Sequence, residues 1–189
     1  MVTEERLEQY GAMGTIIHKM AEMVLLNDTN PTTLYTECSK EWDIIQNGSL
    51  GLKPSDANPQ AFMDMYREDF DWEISFADVE MTLTDDNMLL KGTLDLYTKY
   101  KGMPAICDWK TSRSYSAEKK DSYFKQAAAY AIMYEERYGT PIEALVIMPL
   151  NPNNKRGYGK PIVCTEIKKY KELFLKDLEQ FNKLYRNNN

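Results

Sequence analysis

GTLDLYTKYKGMPAICDWKTSRS, residues 92–114, reads as two strands joined by a turn at Lys101-Gly102. Each strand carries a carboxylate where a buried strand should carry an apolar side chain. Asp95 interrupts Leu94 and Leu96; Asp108 follows Ala105-Ile106-Cys107 and precedes Trp109-Lys110. Desolvating a lone carboxylate costs several kcal/mol unless something compensates the charge. Side chains alternate faces along a strand, so Asp108 and Lys110 point one way and Trp109 the other. Asp95, on the neighbouring strand, brings a second carboxylate to that face if the register allows. Two carboxylates and an ammonium at one point form either a buried ion-pair network or a divalent-cation site with a lysine beside it. Hard oxygen ligands suit Mg²⁺ or Mn²⁺, and a lysine suits a point charge near an attacking water or a phosphate. Spacing alone leaves both readings open.

Outward from this hairpin, periodicity gives the rest of the chain. A third strand is expected over residues 74–83, with its partners over 88–97 and 104–110, as consecutive antiparallel hairpins. Upstream, Leu7, Tyr10, Ile17, Ala21, Val24 and Leu25 recur at helical spacing over residues 4–27. Asn27 to Pro31 stops that helix, and Thr32 or Thr33 caps a second one to Gln46. Loop is expected over residues 47–59 and a short helix over 60–69. Downstream, an Ala-rich helix spans residues 117–138 and ends at Gly139, a natural C-terminal cap. A strand over 142–150, a loop over 151–157, a strand over 160–167 and an amphipathic helix over 170–185 complete the chain. With no repeat or low-complexity linker, this is an α/β (α+β) fold in one domain, residues 1–189. A helical N-terminal part (1–71) precedes a small mixed β-sheet flanked by helices (72–189).

Composition narrows the function classes. The 189 residues, 43% hydrophobic and 28% charged, are ordinary for a globular chain with one sizeable core. No apolar run approaches the ~18 residues of a membrane span. The opening MVTEERLEQYG is acidic and polar, unlike a secretory signal. Cys38, Cys107 and Cys164 are odd in number, far apart and without CxxC spacing, so no disulfide framework, zinc knuckle or four-cysteine iron–sulfur cluster is expected. A reducing cytoplasm is the expected compartment. Residues 1–98 hold 6 Lys and Arg against 19 Asp and Glu, and residues 99–189 hold 17 against 10. The basic half can face phosphates although the whole chain carries a net charge of −6; two differently solvated surfaces explain the asymmetry equally well.

Two further features gain weight from their order. The only histidine, His18, lies in Gly14-Thr15-Ile16-Ile17-His18 on the first helix, where a lone histidine is more often structural than a ligand. Gln126-Ala-Ala-Ala-Tyr130 lies on the helix after the D-x-K strand, its Gln and Tyr on one face. The succession G-x-x-x-H, G-x-x-D (Gly92 to Asp95), D-x-K (Asp108 to Lys110, then Thr111-Ser112) and Q-x-x-x-Y resembles the PD-(D/E)XK nuclease superfamily. Within it, the succession is most similar to the RecB-like and lambda-exonuclease-like, phage-type recombination branch. The resemblance implies a restriction-endonuclease-like core in which His18, Asp95, Asp108 and the Trp109 backbone carbonyl ligate Mg²⁺ or Mn²⁺. Glu80 resembles the extra acidic residue of some members, and a solvated strand glutamate is its plain alternative. The resemblance also gives Lys110 the attacking water and the phosphoryl charge, and Gln126 and Tyr130 a bracing or backbone-contact role. Leu94 stands where many members have Pro. The cluster cysteines of helicase-fused and CRISPR-associated members are missing, and a stand-alone exonuclease, similar in plan to mitochondrial genome maintenance exonucleases, is the closer match.

The chemistry follows from the residue types. A phosphodiester resists hydrolysis because its anion repels hydroxide; a cation held by carboxylates offsets that charge, and a lysine offsets more at the transition state. Phosphate contacts are expected from Thr111, Ser112, Arg113, Lys119, Lys120 and Lys125, and from Lys155, Arg156 and Lys160. Tyr115, Tyr123 and Tyr158 interleave with these and could stack on unpaired bases. The expected function is metal-dependent DNA exonuclease action in phage-type recombination or repair. The alternatives are a non-catalytic nucleic-acid-binding or assembly module on the same fold, and a structural ion-pair core. Expected partners are linear DNA ends, duplex first, with no membrane. By resemblance, a homo-oligomer and a single-strand annealing protein are further candidates.

Overall fold

The structure, a computed structural model, describes residues 3–26, 31–50, 72–85, 88, 90–112, 114–150 and 159–185, with the backbone alone for residues 31, 72–80 and 185. The expected helix over 60–69 and the loop over 151–157 lie outside the described residues, as do Arg113, Lys155, Arg156, Tyr158 and the Glu80 side chain. Helices α1 (Glu4–Leu25), α2 (Pro31–Glu37) and α3 (Ser39–Asn47) come first. Strands β1 (Trp72–Asp85), β2 (Leu90–Tyr100) and β3 (Met103–Lys110) follow, then α4 (Ala117–Tyr138), β4 (Ala144–Pro149), β5 (Ile162–Cys164) and α5 (Ile167–Tyr185). The five strands form one sheet in chain order, β1-β2-β3-β4-β5. Contacts divide the chain into two compact units. The first is Met1–Phe70 with Trp109–Arg113 and Met148–Lys160; the second is Asp71–Asp108, Ser114–Ile147 and Pro161–Asn189.

In the first unit, the Thr3 hydroxyl accepts from Arg6 N and Glu4 and Glu5 occupy the first turn of α1, so that helix starts where a cap and acidic residues favour it. Its inward stripe is Ala12, Met13, Ile16, Ile17, Met20, Ala21 and Val24, whereas Leu7 and Tyr10, part of the expected apolar period, are exposed. Gln9 takes the place of an apolar residue because its amide is fully used. Gln9 Nε2 donates to Glu5, and its Oε1 accepts from Leu50 N at 2.9 Å. A side chain at Gly48 would meet Gln9 at 2.1 Å, so the glycine lets the α3 end close on α1. The single second helix expected to Gln46 is two helices, broken at Cys38 (φ −108°, ψ 27°). It begins one residue before Thr32, at Pro31, whose missing N–H costs nothing in a first turn.

In the second unit, β2 and β3 close on a two-residue turn: Tyr100 pairs with Met103, and Lys101 (φ 50°) and Gly102 (φ 80°) are both left-handed. This is the twist-matched type I′ geometry. It draws both strands up to the turn, so β2 runs on to Tyr100 instead of stopping at Tyr97. At the other hairpin, the buried Asp85 closes the turn by accepting from Met88 N at 2.8 Å. Pro104 O accepts from Glu143 N and Lys110 O from Leu150 N, partners that advance together, so β3 and β4 run parallel with α4 as the crossover. The sheet is therefore mixed. Helix α4 spans the expected residues, capped by the Ser116 hydroxyl and by Gly139 in the left-handed region. Ala127, Ala128 and Ala131 are fully buried, bringing the helix close onto Leu83, Leu94, Ile106, Leu145 and Ile147.

Strand β5 is shorter than expected and α5 starts three residues earlier than residue 170, because Ile167 and Tyr170 turn inward onto Phe124. The Tyr170 hydroxyl donates to Asp121 at 2.5 Å. Glu135 accepts from Ile142 N at 2.8 Å and pairs with Lys171, tying α4 to the start of β4 and to α5. Burial, then the bond to Asp121 and its negative charge, pushes the Tyr170 phenol well above the ordinary tyrosine range. The folded state therefore holds this proton when the unfolded chain has lost it, and stability falls as pH rises past about 10. Tyr170→Phe is expected to flatten the decline of melting temperature between about pH 9 and 11 relative to the unsubstituted protein.

Candidate active site

Among the described residues five polar or charged side chains are buried: Gln9, Asp85, Asp95, Thr98 and Asp108. Gln9 ties α1 to Leu50, and Asp85 closes a turn. Asp95 and Asp108 lie inside strands, away from any cap, at 7% and 2% exposure. The β2–β3 pairing runs from Tyr100 against Met103 to Leu96 against Cys107, and the next residues on the two strands are Asp95 and Asp108. The turn chemistry of Lys101-Gly102 thus sets which carboxylates become neighbours. Electrostatics agree with the register. Burial, then the negative charges of Asp108 and Asp95, holds the Cys107 thiol well above its ordinary range, so Cys107 is an inert core thiol beside two carboxylates.

The strand is irregular where Asp95 sits. Gly92 meets Tyr130 of α4, and Tyr97, five residues on, stacks on Tyr134 of α4 at 4.2 Å. Strict alternation would send these two residues to opposite faces, so the phase shifts once between them. Strand β1 loses register in the same region, with Ile74 to Val79 running against Thr98 to Leu96. Such local irregularities re-aim one side chain out of the pleat.

The Q-x-x-x-Y pair lies on this unit too. Gln126 Nε2 donates to the Tyr130 hydroxyl at 3.3 Å, and a Cβ at Gly92 would come within 2.6 Å of the Tyr130 ring. Gly92 is thus the residue that admits Tyr130 onto β2, three positions before Asp95. Lys119 is exposed and Lys120 half-buried on the first turns of α4, while Lys125 is held in an ion pair with Asp177 of α5.

In the first unit, β3 ends with the buried Trp109 and the half-buried Lys110, followed by Thr111 and Ser112, also half-buried. Helix α1 passes beside this segment: a Cβ at Gly14 would lie 3.6 Å from Thr111 Oγ1. His18, half-buried, is one turn further along α1. Next to it Lys19 bridges Glu22 and Glu37, and those carboxylates outweigh the opposing effect of burial to raise its pKa.

Among the described residues, no three His, Cys, Asp or Glu side chains gather as a metal-binding group. The donor chemistry of Asp95 and Asp108, buried carboxylates at the next positions of the two paired strands, nonetheless fits a hard divalent cation, which takes oxygen ligands.

A mixed five-stranded sheet flanked by helices, with paired carboxylates on its central hairpin and a lysine two residues on, defines a restriction-endonuclease-like fold. The chain belongs to the PD-(D/E)XK nuclease superfamily, whose family model matches residues 2–187. Such domains are hydrolytic nucleases that act on nucleic acid and typically use divalent metal ions. Compared with curated proteins, the chain matches none. Among the described residues no helix is long and apolar enough to cross a membrane.

The two motif glycines make opposite steric predictions. Gly92→Ala drives a methyl into a rigid ring and is expected to cost about 1–3 kcal/mol. Combined with Tyr130→Ala it should cost less than the two single changes added, by at least ~0.5 kcal/mol in denaturant titrations. Gly14→Ala meets only ordinary contact and should be neutral or stabilising by up to ~1 kcal/mol.

Proposed function

We propose that this protein is a divalent-metal-dependent DNA exonuclease of the RecB-like, lambda-exonuclease-like branch, working in phage-type recombination or DNA repair in the cytoplasm. The observation that carries the reading is the neighbouring pair of buried carboxylates, Asp95 and Asp108, with Lys110 two residues beyond on the same strand. The order of the four motifs from Gly14 to Tyr130 supports the branch. Linear DNA ends are the expected substrate.

In this reading Asp95 and Asp108 hold Mg²⁺ or Mn²⁺, with His18, the Trp109 carbonyl and Glu80 as further ligands drawn from the family pattern. When bound, the cation would offset the phosphodiester charge and make water a better nucleophile at neutral pH. Lys110 orients that water through its ammonium and offsets charge developing on the phosphoryl oxygens. Its side chain points to the same side of β3 as Asp108, because the two are separated by one residue in a strand. Trp109, on the other side, is buried and anchors the strand end. Gln126 and Tyr130 brace β2 through the contact with Gly92. Thr111, Ser112, Arg113, Lys119 and Lys120 are the proposed backbone contacts. Lys125 belongs to this set only if its pair with Asp177 opens.

Linear and circular DNA, single- and double-stranded, incubated with Mg²⁺ or Mn²⁺ and then with EDTA, test the proposal. Linear DNA should be degraded, circles spared and EDTA should stop the reaction. Lys110→Ala and Asp108→Asn are expected to lower the rate by at least ~100-fold while thermal unfolding in EDTA stays unchanged or moves up. Binding without cleavage of any DNA or RNA under either metal would instead identify a non-catalytic nucleic-acid-binding module. Loss of folding in Asp108→Asn would identify a structural ion-pair core.

A further inference from the structure

Helix α4 carries a second pattern outside the Q-x-x-x-Y motif. Lys119, Tyr123, Gln126 and Tyr130 fall at i, i+4, i+7 and i+11, a single stripe along one face of the helix. Along the stripe Lys119 and Gln126 are exposed, and Tyr123 and Tyr130 are half-buried against the edge of the core. The adjoining face, with Phe124, Ala127, Ala128 and Ala131, is the buried one. Tyr115, just before the Ser116 cap, stands edge-on to Tyr123 with ring centroids 6.3 Å apart at 65°. Tyr130, at the far end of the stripe, touches Gly92, three residues before Asp95. At ~1.5 Å per residue the stripe extends over roughly 16 Å.

Tyr115, Tyr123 and Tyr130 pack against the hydrophobic core yet are only half-buried, so part of each side chain faces solvent, at Tyr123 between an exposed lysine and an exposed glutamine. Alternating cationic, aromatic and amide groups on a solvent-facing track match the needs of an unpaired nucleic-acid strand, which offers phosphates to a lysine and flat base faces to a ring. A duplex keeps its base faces stacked and has no use for the ring. We infer that the Lys119–Tyr123 half of this stripe, with Tyr115 steadying the Tyr123 ring, is a single-strand DNA track on which Tyr123 stacks a base near the strand end. The inference rests on the nuclease reading above and specifies its substrate: an unpaired end reaches the carboxylates along α4.

The test is binding of fluorescein-labelled oligothymidylate and of a blunt hairpin duplex, by anisotropy in EDTA, so that it is independent of cleavage. Tyr123→Ala and Tyr123→Leu should each weaken oligothymidylate binding by at least ~5-fold, as loss of one base–ring stack does, with little change for the duplex. Tyr123→Trp should bind as well as the original, because only the aromatic face is needed. Lys119→Ala should lower the salt dependence of binding by about one phosphate contact. Full binding by Tyr123→Leu with an unchanged melting temperature overturns the inference, since the side chain would then serve packing alone. Equal weakening on oligothymidylate and duplex overturns it as well, as does an original protein that binds no oligothymidylate. Tight oligothymidylate binding by a protein that cleaves nothing supports the track and removes the nuclease reading, so the two failures are distinguishable.

Discussion

Two carboxylates buried at the next positions of one hairpin are the constraint around which this structure is arranged. Asp95 and Asp108 become neighbours because β2 and β3 pair in register up to Leu96 and Cys107. That register is set at the other end of the hairpin, where Lys101 and Gly102 both accept the left-handed conformation of a type I′ turn. A one-residue slip would move every side chain of β2 to the wrong face and part the carboxylates. Carboxylate oxygens are suited ligands for a divalent cation, and such a cation does chemistry on phosphodiesters. The remaining features of the second unit keep this hairpin fixed. Helix α4 lies close on it through three buried alanines, Tyr130 closes over Gly92, and Glu135 and Tyr170 lock α4 to β4 and α5.

Much of this was legible from sequence wherever a local rule and the tertiary packing agree. Helix α4 shows its C-terminal end through Gly139 and its close packing through its alanines, and the hairpin shows its turn through Lys-Gly. The order of G-x-x-D, D-x-K and Q-x-x-x-Y pointed to the superfamily to which the chain belongs. Less legible were features fixed by partners distant in sequence. Gln9 reads as a surface residue until Leu50 and Glu5 are seen to use its amide. Cys38 divides a helix whose residues all tolerate helix. Lys125 reads as a phosphate contact, but Asp177, 52 residues away, pairs with it. The phase shift around Asp95 has no sequence marker, because its residues, Leu94 to Tyr97, are all ordinary strand formers.

The family gives the class of chemistry, a hydrolytic nuclease acting on nucleic acid, and the hairpin supplies residues suited to it. In the proposed mechanism the labour divides along β3. Asp108 with Asp95 holds the cation, Lys110 handles water and developing phosphoryl charge, and Trp109 on the opposite side anchors the strand. Along α4 the division continues, with Gln126 and Tyr130 bracing the hairpin and Tyr123 with Lys119 guiding an unpaired strand.

The central claim is that Asp95 and Asp108 are joint ligands of one divalent cation, and calorimetric titration of Mn²⁺ into the folded protein tests it most directly. The account predicts binding by the unsubstituted protein that is lost or weakened at least ~10-fold in both Asp95→Asn and Asp108→Asn, each still folded. Equal Mn²⁺ affinity in all three proteins would contradict it, as would no binding by the unsubstituted protein.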